Sequence, residues 1–180
     1  MFTDENLYEH FWNGEKIAAD ELVHRHGDIL VLFLNSYVKD IHEAEDLIIE
    51  AFDLMFVKRR AVSEDGSFRA YLYKTARRLA GKAIKKHRIH IGLEELPFEL
   101  PGEVLADTNL FENERKKQLY EAMEELKPEY QEALYLVYIE DMSYRDTAEV
   151  MGRSESQIKN LVNRGKKSLK EILGRNGFEY

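Results

Sequence analysis

Residues 143–164 read SYRDTAEVMGRSESQIKNLVNR, and the chemistry they suit is recognition rather than bond making. Ala148, Gly152, Ile158 and Leu161 have the spacing of a helix-turn-helix. The small alanine lets two helices pack closely, the glycine makes the turn, and Ile158 and Leu161 seat the second helix on the first. Glu155, Ser156, Gln157, Lys159, Asn160, Asn163 and Arg164 are then left for a DNA groove. Amide, ammonium and guanidinium groups reach base edges and phosphates in the major groove. Lys166, Lys167 and Lys170 extend the positive face toward phosphates.

A second cationic set lies upstream. Residues 69–90 hold eight basic residues and no acidic one, inside a chain whose net charge is −8. A helix made only for solubility usually mixes signs, so this run points to an anionic partner. The rest is acidic: residues 1–57 hold 13 acidic and 3 basic groups, and residues 91–143 hold 14 and 4. Such a balance argues against coating nucleic acid by bulk charge and leaves room for local basic patches.

Groups for covalent or metal chemistry are scarce. With 0 cysteines, disulfides, zinc ribbons, iron–sulfur clusters and thiol nucleophiles are excluded. The run His42-Glu43-Ala44-Glu45-Asp46 lacks the second histidine of a zinc helix. His87 and His90 sit among cations that disfavour a metal. No nucleophile–base pair and no glycine-rich phosphate loop is present. The expectation is a non-enzyme with no metal and no cofactor.

The elements that position these groups are helical. The chain of 180 residues, 44% hydrophobic and 33% charged, allows one ordinary domain or two small ones. Leu22, Val23, His26, Ile29, Leu30, Phe33, Leu34, Tyr37 and Val38 follow the three-four spacing of one buried helical face. A second helix is predicted over 42–59, with Asp46, Glu50 and Asp53 on its polar side. A third is predicted over 67–87, burying Phe68, Tyr71, Leu72, Thr75, Ala76, Leu79 and Ala83 and leaving Lys74, Arg77, Arg78, Lys82, Lys85 and Lys86 outside. Phe52, Phe56, Phe68, Tyr71 and Tyr138 are core aromatics by spacing. Lys127-Pro128 ends one C-terminal helix, and Ser143-x-x-Asp146 and Ser154-x-x-Gln157 read as capping boxes that start two more.

Pro97 and Pro101 fall in a stretch with no sustained helical period. The predicted fold is therefore all-α, with two small helical domains, 1–90 and 111–180, joined by a flexible linker over 91–110. The longest apolar run, 29–34, is far short of the ~20 residues of a membrane helix. The acidic N-terminus lacks the blocks of a signal peptide, so a cytoplasmic protein with no stable membrane insertion is expected.

Four motifs in order resemble a family. The run 44–52, AEDLIIEAF, and the run 67–80, SFRAYLYKTARRLA, are similar to two helices of bacterial RNA polymerase sigma factors of the extracytoplasmic-function type. Leu126-Lys127-Pro128 with the helix after it, and Ser143 through Arg164, resemble the same family's last segments. The resemblance implies that the first domain binds core RNA polymerase through Asp46, Leu47, Ile49, Glu50 and Asp53. It implies contacts to the −10 promoter element from Ser67, Phe68, Lys74, Arg77, Arg78, Lys82, Lys85 and Lys86. It implies −35 recognition by Glu155, Ser156, Gln157, Lys159, Asn160, Asn163, Arg164 and Lys166. Promoter DNA and core polymerase are the implied partners, with an anti-sigma factor as a further one. The alternatives are a helix-turn-helix transcriptional regulator and a polymerase-binding adaptor that does not melt DNA. The acidic blocks are also placed to lie against the basic helix in the free chain.

Overall fold

The computed structural model describes residues 2–57, 67–87, 96–100 and 114–177, and every regular element among them is helical. The N-terminal half contains α1 (Asp4–Trp12), α2 (Ile17–Val38), α3 (Ile41–Val57) and α4 (Phe68–His87). The C-terminal half contains α5 (Glu114–Glu124), α6 (Pro128–Leu134), a π-helical turn (Tyr135–Ile139), α7 (Tyr144–Met151) and α8 (Glu155–Arg175). No helix is long and apolar enough to cross a membrane among the described residues.

Local chemistry explains the helix ends. Thr3 starts α1, its Oγ1 accepting the Asn6 N–H at 3.2 Å, and Asp4 and Glu5 suit the positive end of the helix dipole. Apolar periodicity does not predict this helix. Its Leu7 and Tyr8 are buried, and the Tyr8 hydroxyl donates to the Met55 carbonyl at 2.8 Å, which ties α1 to α3. Asp40 starts α3 by accepting the N–H groups of His42 at 2.9 Å and Glu43 at 3.2 Å. Ser67 holds the start of α4, its Oγ accepting the Ala70 N–H at 3.2 Å.

Leu22, Leu30, Phe33 and Leu34 of α2 are fully buried, together with Met55 and Ala51 of α3 and Phe68 and Leu72 of α4. Val23 and Ile29 lie outside this stripe and are exposed, so the buried face of α2 is narrower than the spacing predicts. The core continues into the C-terminal half through Tyr135 and Leu136.

Part of the predicted linker belongs to that core. Leu96, Phe98 and Leu100 are buried, and the Phe98 ring sits 5.1 Å from Tyr37 and 5.5 Å from Tyr135. The Glu99 N–H donates to the Ser36 carbonyl at 2.9 Å. A phenylalanine in an apolar slot recovers far more free energy than one in a solvated tether, which is why these five residues leave the tether. The rest of 91–110 lies outside the described residues.

The π-helical turn corrects one expectation. The Glu140 N–H reaches back five residues to the Tyr135 carbonyl at 3.0 Å. One extra residue in the turn rotates the chain beyond it. Tyr135 and Glu140 are turned inward, while Tyr138, assigned to the core by spacing, is 53% exposed. Its ring instead receives the Lys166 ammonium 4.6 Å from its centroid.

Candidate nucleic-acid interface

The helix-turn-helix is built by its caps. Ser143 Oγ accepts the Asp146 N–H at 3.0 Å and starts α7. Gly152 ends it with φ +66° and ψ 36°, the left-handed region where a side chain is strained. The Arg153 N–H closes the turn on the Ala148 carbonyl at 3.0 Å. A reciprocal cap then starts α8: the Gln157 N–H donates to Ser154 Oγ at 3.2 Å and Gln157 Oε1 accepts the Ser154 N–H at 2.8 Å. Ile158, Leu161 and Val162 are buried under α8. At Gly165, a Cβ would meet Leu134 Cδ1 at 3.2 Å and Tyr130 Cβ at 3.3 Å, so the glycine lets α8 approach α6.

This packing leaves Glu155, Ser156, Gln157, Lys159, Asn160, Asn163, Arg164 and Lys166 exposed. They include both amide and cationic groups, the set that reads a major groove. Gln157 differs from the others because its carbonyl oxygen is committed to the cap.

The basic helix α4 divides in two. Arg78, Lys82, Lys85 and Lys86 are exposed, and none of them is in an ion pair among the described residues. The other cations face the C-terminal half. Arg77 is buried, donating to both carboxylate oxygens of Glu132, from Nε at 2.6 Å and from Nη2 at 3.2 Å. The Tyr37 hydroxyl donates to the same carboxylate at 2.7 Å. Arg69 pairs with Glu140, which also accepts the Tyr73 hydroxyl at 2.8 Å. Lys74 Nζ lies 3.3 Å from Glu149 Oε1 on α7. Burial works against the charge of Arg77, but the Glu132 carboxylate outweighs it and raises the pKa above the ordinary guanidinium value. Burial, reinforced by Glu132, likewise pushes the Tyr37 hydroxyl well up, so it stays a donor.

The expected contacts Ser67, Phe68, Lys74, Arg77 and Leu47 are therefore placed differently. Phe68 is fully buried, its ring 5.2 Å from Tyr8, because the α4 start is pinned into the core beside α1. Arg77 lies inward, since the residue facing it is an acid and not a hydrophobe. Ser67 is half-buried at the helix start. On α3, Asp46, Ile49, Glu50 and Asp53 share an exposed face, whereas Leu47 packs into the core. Leu54 and Val57 add exposed apolar surface next to those carboxylates. The side chain of His87 and all of His90 lie outside the described residues.

Sequence reasoning missed Glu132, Glu140 and Phe98 as partners of α4 and α2. The available signal was an acid just before the apolar run 133–139 and another at its end, but nothing in the spacing names the cation each would meet.

Comparison with known proteins decides the family. Residues 22–89 match the family described as Sigma-70 region 2, and residues 116–169 match Sigma-70, region 4. The chain is an extracytoplasmic-function member of the sigma-70 family. It is 27% identical over 168 residues to the ECF RNA polymerase sigma factor SigM of Bacillus subtilis, covering 88% of this chain and 97% of that one. The fold is similar to that of CnrH, solved in complex with the cytosolic domain of CnrY (TM-score 0.66, 19% identity, 96% of this chain and 97% of the other). It is also similar to the sigma factor RpoE in complex with the anti-sigma factor NepR from Bartonella quintana (TM-score 0.60, 18% identity, 86% and 96%). In sigma-70 terms, α2 to α4 belong to region 2 and the helix-turn-helix to region 4. A regulator with a receiver or ligand-binding domain is not compatible with a first half that matches region 2.

Proposed function

We propose that the chain binds core RNA polymerase, recognises the −35 and −10 promoter elements and initiates transcription. It works in the cytoplasm as a specificity subunit without catalytic chemistry of its own. The observation that carries this is the joint presence, in one chain, of an exposed amide-and-cation face on α8 and an exposed cationic face on α4. The first suits the major groove of a duplex. The second suits the phosphates of a separated strand. Asp46, Ile49, Glu50 and Asp53 on α3 offer a carboxylate-rich face to the polymerase, and Leu47 supports it from below. In this reading Lys159, Asn160, Asn163 and Arg164 read −35 bases, with Glu155, Ser156 and Lys166 at the edge of the footprint. Arg78, Lys82, Lys85 and Lys86 contact the −10 strand. An anti-sigma factor is a further proposed partner, since RpoE was solved with one.

The test is reconstitution. Core polymerase with the purified chain and genomic DNA should yield transcripts with defined start sites that core alone does not make. Core binding without any such transcript would make the chain an adaptor. Specific duplex binding that core polymerase neither requires nor strengthens would make it a helix-turn-helix regulator.

A further inference from the structure

We propose that Tyr138 is a positioning residue for DNA binding, whose exposed ring holds the Lys166 ammonium ready for a backbone phosphate at the edge of the α8 footprint. This rests on the promoter-binding reading above and adds to it a residue outside the helix-turn-helix. Spacing assigns Tyr138 to the core, but the π-helical turn at Tyr135–Ile139 puts it on the surface. Asp141, just beyond the turn, has φ +49°, the left-handed region that a residue with a side chain seldom adopts. Both conformations are locally unfavourable, and π-helical turns are concentrated at functional sites. What this turn delivers to the surface is an aromatic ring beside α8, with Lys166 Nζ 4.6 Å from its centroid.

The row to which Lys166 belongs sets its target. Lys159, Asn163, Lys166 and Lys170 recur at helical spacing along one side of α8, and all are exposed. The N-terminal members of such a row meet base edges, and members further along the helix reach the sugar-phosphate backbone. Lys166 makes no ion pair among the described residues, so its charge is available to a phosphate. A lysine side chain is long, and its ammonium loses much rotamer freedom when a phosphate fixes it. An aromatic ring that orders the ammonium beforehand reduces that loss. The ring covers one side of the ammonium and leaves its remaining N–H donors for an anion. A carboxylate in the same place would also order the ammonium but would cancel its charge. The Tyr138 hydroxyl raises the Lys166 pKa, burial opposes this, and Tyr144 adds to the raising, so the ammonium keeps its proton.

The experiment uses the full chain and a labelled mixed-sequence DNA duplex of about 20 base pairs, since phosphate contacts do not depend on sequence. The ring-current shift of the Lys166 side-chain methylenes, read by NMR, reports the contact itself. Duplex affinity over a range of salt concentrations reports its use. Tyr138→Phe should keep the upfield shift and bind within about twofold of the parent chain, because the ring remains. Tyr138→Leu should abolish the shift and weaken binding by about threefold. Lys166→Ala should lower the slope of log affinity against log salt by about 0.9, the share of one phosphate. Tyr138→Glu should lower that slope by a similar amount with circular dichroism unchanged. In the Lys166→Ala background, Tyr138→Leu should have no further effect on affinity, an outcome that a merely structural role would not produce. An equal loss with and without Lys166 makes Tyr138 structural and overturns the proposal. Unchanged affinity of Tyr138→Leu, or a parent chain without the upfield shift, overturns it as well. If the parent chain shows the shift yet binds no duplex at any salt, the promoter reading fails together with the proposal. If it binds duplex without the coupling, the positioning role alone fails.

Discussion

Glu132 on α6 and Arg77 on α4 form a two-pronged pair, at 2.6 Å and 3.2 Å, with both side chains almost wholly withdrawn from water. Removing one member strands the other. Glu132→Leu should therefore destabilise the folded chain by ~3–5 kcal/mol. The double change Glu132→Leu with Arg77→Leu should recover most of that loss, less the ~1–3 kcal/mol of the buried Tyr37 hydroxyl left without its acceptor. Urea unfolding of the full chain followed by circular dichroism measures both. A double variant no better than the single one would mean that the pair itself holds the interface.

The exposed carboxylates of α3 make a separate prediction. Asp46→Lys with Glu50→Lys reverses two charges that face solvent and make no ion pair among the described residues. The fold should persist, because surface changes away from packed groups usually alter stability by less than ~0.5 kcal/mol. Binding to core polymerase should be lost. Circular dichroism and a pull-down with core polymerase check the two halves of the statement, and unchanged core affinity would remove α3 as the docking face.

On α8, the exposed side chains should separate by role. Asn160→Ala and Arg164→Ala should each cost ~1–3 kcal/mol at one promoter position and relax selectivity there. Gln157→Ala should instead act on the helix, because its Oε1 holds the Ser154 N–H. Loss of that one hydrogen bond should cost ~0.5–1.5 kcal/mol of stability. Promoter-variant binding profiles and thermal melts of the three variants distinguish readout from capping.

Asp4 gives a pH dependence. Its carboxylate lies 2.8 Å from His26 Nε2 and 3.2 Å from Arg25 Nη1. The hydrogen bond from His26 lowers the Asp4 pKa from its ordinary 3.8, burial opposes this, and Arg25 adds to the lowering. A lowered folded-state pKa stabilises above the unfolded value and loses that contribution as pH falls through the folded value. Asp4→Asn should thus cost about 1 kcal/mol at neutral pH, where both neighbours still meet a neutral acceptor on a partly exposed site. The difference from the parent chain should shrink as pH falls below 3.8. Urea unfolding at neutral and acid pH measures it, and a gap that widens in acid would contradict the assignment.

The sequence alone determined what depends on neighbours along the chain. Helix periods over α2, α3 and α4, the caps at Ser143 and Ser154 and the turn at Gly152 are set by residues within a few positions of one another. The outward face of α8 comes from the same local pattern, because once Ile158 and Leu161 are buried the polar positions between them must face out. The inward turn of Arg77 and the withdrawal of Phe98 into the core were decided only by tertiary structure. Arg77 and Glu132 are 55 residues apart, and no local rule distinguishes that guanidinium from exposed Arg78 beside it. Long-range pairing depends on which helices meet and at what rotation, and the π-helical turn at Tyr135–Ile139 resets that rotation for Glu140. Periodicity could therefore place the cations of α4 on a helix, but only the packing of the second half against it could divide them into paired and exposed groups.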